Sequence, residues 1–252
     1  MKIKIINPNT TQSMTDKIGE AARKVAAAGT QIIAVSPRHG PASIEGHYDE
    51  ALSVVGLLDE IRAGEAEGVD AYVIACFNDP GLLAARELAS GPVIGIAEAA
   101  MHTASVLATG FSVVTTLARS CIIAEHLAHN YGMSRFCRGI HGIDIAVLDL
   151  ERPDSDAYRI ALESCKKALA ADRSGAIVVG CAGMSGLCAQ LQDALGVPVI
   201  DGITAAVKWA EGMVAIGLKT SKRGDLAYPI PKPFAGELAR FTPTKISEVN
   251  QT

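Results

Sequence analysis

The sequence predicts an α/β protein of two pseudo-symmetric lobes, each a mostly parallel sheet flanked by helices, with a cleft between them. Three observations predict it. Short, continuously apolar β-rich runs alternate with longer amphipathic ones, the pattern of parallel strands covered on both faces. The alternation occurs twice along the chain. Each half also places a cysteine at the same point of its pattern, at the end of a strand and before a glycine-containing turn.

The strands are expected at residues 2–7 (KIKIIN), 31–35 (QIIAV), 71–76 (AYVIAC), 92–96 (PVIGI), 111–116 (FSVVTT), 143–148 (IDIAVL), 176–181 (AIVVGC) and 197–200 (VPVI). Most are separated by Ala-, Leu-, Glu- and Lys-rich segments with helical spacing. Tyr158, Ala161, Leu162, Cys165, Ala168 and Leu169, for instance, fall on one helical face. Residues 220–252, with "YPIPKPF", read as irregular chain or a short helix packed on one lobe.

The halves align in spacing and in text. Thr10 and Thr116 close corresponding strands, Cys76 and Cys181 follow 66 and 65 residues later, and Pro92 and Pro198 open PVI strands 16 and 17 residues after those. "ACFNDPGLLAARELASGPVIGIAEAA" runs parallel to "GCAGMSGLCAQLQDALGVPVIDGITAA". Composition alone explains shared Ala, Leu and Val, but not a cysteine held at one point with three spacings kept within one residue. This is the mark of an internal repeat. The lobes are assigned to residues 1–97 plus about 205–252, and to residues 98–204.

The 252 residues carry 49% hydrophobic and 20% charged side chains and a net charge of −4, an ordinary globular composition. Acidic and basic residues are interspersed without a dense basic tract, which argues against nucleic acid. "MKIKIINPNTT" lacks the form of an export signal and no run is apolar enough for a membrane span, so the chain is expected to be cytoplasmic. Six cysteines in a chain of this size and core read as reduced thiols rather than a disulfide framework.

In open α/β sheets ligands bind beyond the carboxyl ends of the strands. The polar features at such ends are Asn7 to Thr11, Cys76-Phe77-Asn78, Thr115-Thr116 and Cys181-Ala182-Gly183. If the lobes face one another, a substrate between them meets one cysteine from each side. Cysteine is usually buried as a small hydrophobe. That reading holds for Cys165, in its apolar helical stripe, and for Cys188; Cys121 and Cys137 have no special context. Cys76 and Cys181 differ by position and pairing, at a strand end where backbone N–H groups and a helix start can lower a thiol's pKa.

An opposed thiolate and thiol can take a proton from one face of a carbon acid and return one to the other, inverting that carbon. The resulting enolate needs hydrogen-bond donors, available from Asn9, Thr10, Asn78, Thr115, Thr116 and the N–H groups after each cysteine. Neither metal nor organic cofactor is required. Rival chemistries are weaker: there is no Cys-x-x-Cys, no arginine in the loop after either cysteine, and no glycine-rich phosphate loop, while a Cys-His hydrolase using His39, His47 or His102 stays open with nothing to fix either partner. His126 and His129 lack companions that would make a metal site. Arg119 either anchors a ligand oxygen or caps its own helix. Arg38, Glu45, His47 and Asp49, in the connection after the second strand, are loop-solvating or lid residues.

Together "INPNTT", "PASIEGHYDEA", "GVDAYVIACFNDPGLLAARELASGPVIGI", "VVTT" and "VVGCAGM" resemble the hydantoin racemase branch of the aspartate/glutamate racemase superfamily, over essentially the full chain. The resemblance implies two pseudo-symmetric lobes, a cofactor-independent proton transfer, a homo-oligomer, and Cys76 and Cys181 as the acid/base pair. It also implies that Asn9, Phe77, Thr115, Thr116, Ala182 and Gly183 enclose or hydrogen-bond a small cyclic ureide. Amino-acid racemases of the superfamily carry Cys-Asn-Thr and Cys-Thr-His; "CFN" and "CAG" stand here instead. Phe77 accordingly turns the expectation from free amino acids toward an uncharged planar ring, a 5-monosubstituted hydantoin or, alternatively, allantoin.

Overall fold

The structure, a computed structural model, describes residues 1–151 and 156–243. The first half runs β1 (Lys2–Ile6), α1 (Gln12–Val25), β2 (Gln31–Val35), α2 (His47–Ala66), β3 (Ala71–Ile74), α3 (Leu82–Leu88), β4 (Val93–Gly95) and α4 (Ile96–Leu107). The second runs β5 (Phe111–Thr115), α5 (Ala118–Asn130), β6 (Cys137–Gly142), α6 (Ala157–Asp172), β7 (Ala176–Val179), α7 (Cys188–Leu195), β8 (Val199–Ile200) and α8 (Gly202–Ala215). Each half forms an all-parallel four-stranded sheet, ordered β2-β1-β3-β4 and β6-β5-β7-β8.

The repeat extends to individual hydrogen bonds. Ala75 N–H donates to the Ile6 carbonyl and Gly180 N–H to that of Val114, both at 2.8 Å. Tyr72 N–H meets Pro92 and Ile177 N–H meets Pro198, both at 2.9 Å. These pairs superpose Val93 on Val199, and therefore Gly95 on Asp201. They also correct one correspondence: β1 ends at Ile6, so Thr10 lies in the loop to α1, whereas Thr115 ends β5.

A second correction concerns β6, which is "CRGIHG", not the apolar "IDIAVL" expected at 143–148. An edge strand with partly exposed faces does not need an apolar run. The apolar stretch instead leaves the sheet, where Ile143 and Val147 are buried, and enters a 3-10 helix at Val147–Glu151.

The two helices that follow the last strand of each sheet pack on the opposite sheet. Ala97, Ala100, Met101 and Ala104 of α4 share a core with Phe111, Val113, Ala176 and Val178 of the second sheet. Ile203, Ala206, Val207 and Ala210 of α8 lie with Ile3, Ile5, Val73 and Ile94 of the first. Small residues let the helices approach closely where they start. A Cβ at Gly202 would collide with the Ile96 carbonyl. This exchange joins the halves through two hydrophobic cores and fixes the separation of the strand ends.

Beyond α8 the chain runs back along the first half. The Lys222 ammonium donates to the Arg86 and Glu87 carbonyls at the end of α3, at 2.6 and 3.1 Å, and Arg240 pairs with Asp59 of α2 at 3.0 Å. Short 3-10 turns occupy Gly224–Leu226 and Gly236–Phe241. Among the described residues, no helix is long and apolar enough to cross a membrane.

At the amino end of β5, Asp172 accepts from Ser112 at 2.7 Å and lies 2.6 Å from the His141 ring. Partial burial works against its charge, but the bonds to Ser112 and His141 outweigh this and hold its carboxyl below the ordinary aspartate value. A depressed folded pKa contributes stability above the unfolded value and loses it as pH falls through the folded one. Asp172→Asn is therefore expected to lower the melting temperature at pH 7, with the difference from the parent beginning to shrink as the pH falls below about 4. Thermal melts from pH 3 to 8 check this.

Candidate active site

The strand that carries each cysteine also determines where its sulfur goes. After the last sheet bond of β3, at Ala75, the backbone turns: Asp79 N–H donates to the Cys76 carbonyl at 2.9 Å. After β7, Met184 N–H donates to the Cys181 carbonyl at 3.0 Å. Both cysteines thus stand at the first position of a tight turn beyond a parallel strand, neither is in a disulfide, both are half-buried, and both line one cavity. Its other walls are Asn9, Met14, Ile44, Ala75, Phe77, Asn78, Thr115, Thr116, Ser120, Val147, Gly180 and Ala182. The cavity measures about 40 Å³, room for about three water molecules.

The walls divide by chemistry. Asn9 is buried; its oxygen accepts from Asn7 Nδ2 and Thr11 N–H, at 2.8 and 2.9 Å, and its own Nδ2 rests 3.2 Å from the Met14 sulfur. That fixes the amide's orientation while a weak acceptor leaves its donor competitive for a ligand. Thr115 already donates to the Gly180 carbonyl at 2.8 Å and so braces the base of the Cys181 turn. A side chain at Gly180 would run into Thr115. Asn78 gives its amide to Glu50 at 3.3 Å. Phe77 lines the cavity but is mostly buried in the second sheet's core with Ala97, Met101 and Phe111, so it anchors the first lobe's turn into the second.

Three expected residues lie outside the cavity wall. Thr10 gives both its N–H and its hydroxyl to the Pro41 carbonyl, at 2.9 and 3.3 Å, and secures the 41–46 loop. The exposed Arg119 guanidinium lies over Gly46, where any side chain would meet it. Gly183 packs between Leu150 and the Cys181 sulfur, 3.2 and 3.6 Å from where its Cβ would stand. Conversely, Met14, Ile44, Ser120 and Val147 join the wall from positions that spacing did not single out. Ser120 had a legible signal, one helical turn beyond Thr116 in "TTLARS"; Val147 had none, because "IDIAVL" carries the pattern of a strand. Glu45 links the loops that bring Ile44 and Val147 in, its carboxylate accepting from Ser43 and from Val147 N–H, both at 3.2 Å.

Electrostatics at Cys76 run opposite to the sequence expectation. Burial pushes its thiol well above the ordinary value. A hydrogen bond from Asn78 N–H pulls the other way, while the nearby Cys181, Asp79 and Glu50 add to the rise. The helix start that would have lowered it is remote, since α3 begins only at Leu82. Because charge on either sulfur opposes charge on the other, one thiol with at most one thiolate is the favoured state.

The remaining candidates fall into place. Cys165 and Cys188 are buried in the second half's core. His126 and His129 are exposed on α5, and among the described residues no group of three His, Cys, Asp or Glu side chains is placed to hold a metal.

Comparison with known proteins places this arrangement. The chain is 55% identical over 236 residues to a hydantoin racemase of Rhizobium meliloti, covering 94% of this chain and 98% of that one. Among solved structures it matches an allantoin racemase from Klebsiella pneumoniae at 57% identity and a TM-score of 0.95, over 97% of this chain and all of that one. An allantoin racemase from Pseudomonas fluorescens matches at 38% identity and a TM-score of 0.90, over 94% and 100% of the two chains. The family model described as Asp/Glu/Hydantoin racemase matches residues 3–210, and the chain belongs to that family.

Proposed function

We propose that the protein racemises 5-monosubstituted hydantoins without a cofactor, with Cys76 and Cys181 as the two acid/base groups. The observation that carries this reading is the convergence of two cysteines, from equivalent turns of two repeated sheets, on one small cavity lined by hydrogen-bond donors. The C5 hydrogen of such a ring is acidic because a carbonyl adjoins it. The thiolate of one cysteine takes that proton, and the electron pair moves onto the adjacent carbonyl oxygen as an enolate. The thiol of the other cysteine then gives its proton to the opposite face of C5. The product has the opposite hand, and the two sulfurs have exchanged protonation states. Asn9 Nδ2 and the hydroxyls of Thr116 and Ser120 are the donors we assign to the ring oxygens.

Allantoin is the second reading, favoured by the solved structures that the chain resembles. It is itself a hydantoin with a ureido group at C5, so the same steps apply. Met14, Ile44 and Val147 give the cavity an apolar side, which supports an alkyl or aromatic substituent over a ureido group. The same reading takes the working enzyme to be cytoplasmic, the expectation drawn from its N-terminal text, and a homo-oligomer, as the family resemblance implies.

Enantiopure 5-substituted hydantoin and allantoin incubated separately with the protein in D2O are expected to lose optical rotation while gaining deuterium at C5, the alkyl-substituted ring at least tenfold faster. Binding without exchange would refute the racemase reading. A faster allantoin reaction would move the assignment to the second substrate.

A further inference from the structure

The two cysteine turns are braced by the same device, built in two ways. In the second half, Asp201 caps α8 by accepting from Ile203 and Thr204 N–H at 3.1 and 3.2 Å. It also accepts from the hydroxyl of Ser185, at 2.8 Å, four residues after Cys181. One carboxylate therefore joins the cysteine turn to the start of the helix that crosses to the other sheet. The equivalent position in the first half is Gly95, which has no side chain to do this. A Cβ there would fall on the carboxylate of Asp79, which occupies the vacant place from the opposite direction.

Asp79, three residues after Cys76, accepts from Ala97 and Glu98 N–H at the start of α4, at 3.1 and 2.9 Å. It also accepts from the hydroxyl of Tyr131, at the end of α5, at 2.7 Å. Its N–H closes the Cys76 turn. The residue is 5% exposed and holds a left-handed φ of 45°, a conformation disfavoured for side chains other than Asn and Asp. Other charges around it are Glu98, itself paired with Arg86 at 2.5 Å, and the sulfur of Cys76. Burial pushes the Asp79 carboxyl up to about 7, against the pull of the Tyr131 hydroxyl and the two N–H groups.

We infer that Asp79 is a positioning residue for Cys76 alone: it fixes that sulfur against the second half, as Asp201 and Ser185 fix Cys181, so each face of the substrate has its own brace. The inference rests on the two-cysteine reading above. It is separable from a general stabilising role because the brace has two functions, capping α4 and holding the turn, and the second half shows how to divide them. In the double variant Asp79→Gly with Gly95→Asp, the capping carboxylate stands where Asp201 stands in the other half. Position 80 is proline, with no hydroxyl or N–H to reach it, so the cap is restored and the tie to the Cys76 turn is not. Glycine suits the backbone at 79, and the space at 95 is freed by the same change.

The experiment measures deuterium exchange at C5 for each enantiomer at pH 8.5, above the Asp79 range, in Cys181→Ser and Cys76→Ser backgrounds. The first background reports Cys76, the second Cys181. Adding Asp79→Asn is expected to slow exchange by Cys76 about tenfold to a hundredfold, as a misplaced acid/base group does, and to leave exchange by Cys181 within twofold. The double variant is expected to recover the melting temperature lost in Asp79→Gly but not the Cys76 rate.

Equal slowing of both cysteines, or recovery of both temperature and rate in the double variant, would overturn the positioning role. If neither background exchanges any proton, it is the two-cysteine reading that fails. Iodoacetamide labelling, resolved by mass spectrometry, then decides the positioning role. Asp79→Asn should speed labelling of Cys76 at least threefold, with Cys181 unchanged, and an unmoved Cys76 rate would overturn it.

Discussion

Cys76→Ser and Cys181→Ser are each expected to lower racemisation by about 10²–10⁴-fold, the range contributed by a positioned acid or base. Serine keeps the volume and removes the acidity. A hydroxyl buried where Cys76 already has a raised pKa offers neither a base at neutral pH nor a ready proton donor. The losses should not add: the double variant is expected to be little worse than either single one, because two groups that act in one transfer fail together. Each single variant should still wash deuterium into one enantiomer, since the surviving sulfur serves one face. Polarimetry reads racemisation and mass spectrometry reads exchange. Full turnover by either single variant would exclude a two-base mechanism.

Gly202→Ala is expected to be strongly damaging although it lies away from the cavity. The added methyl would meet the Ile96 carbonyl where α4 and α8 start, and backbone on backbone has little room to yield. Overpacking of this kind costs about 1–3 kcal/mol. In a chain of this size each kcal/mol shifts the melting temperature by about 2–4 °C, so a fall of about 5 °C or more is expected, larger for Gly202→Val. Gly212, on the same helix, is the control. It is exposed, and a Cβ there would meet nothing within 4 Å, so Gly212→Ala should hold or raise the melting temperature through helix propensity. Because α4 and α8 join the two sheets, Gly202→Ala should also slow exchange at both cysteines alike, unlike the one-sided effect of Asp79→Asn.

The legible part of this protein was its local pattern. Continuous apolar strands between amphipathic helices predicted two parallel sheets, and the spacing of Cys76 and Cys181 predicted the repeat, since each is recorded in neighbouring residues. The reading failed where tertiary contacts override local pattern. "IDIAVL" looked more like a strand than "CRGIHG", but an edge strand tolerates polar residues and the apolar loop finds its burial elsewhere. Thr10 seemed equivalent to Thr116 until the register showed β1 ending at Ile6.

By itself the sequence determined the fold class, the duplication, and which two of six cysteines were distinctive, because periodicity and spacing are properties of a linear chain. Only the tertiary structure decided that α4 and α8 exchange sheets, that Ile44, Ser120 and Val147 complete the cavity, and that Asp79 fills the place left by Gly95. Those facts depend on residues far apart in the chain meeting in space. The same holds for the Cys76 pKa: a strand end before a helix suggested a lowered value, but burial beside Cys181, Asp79 and Glu50 raises it, and burial is a property of the fold.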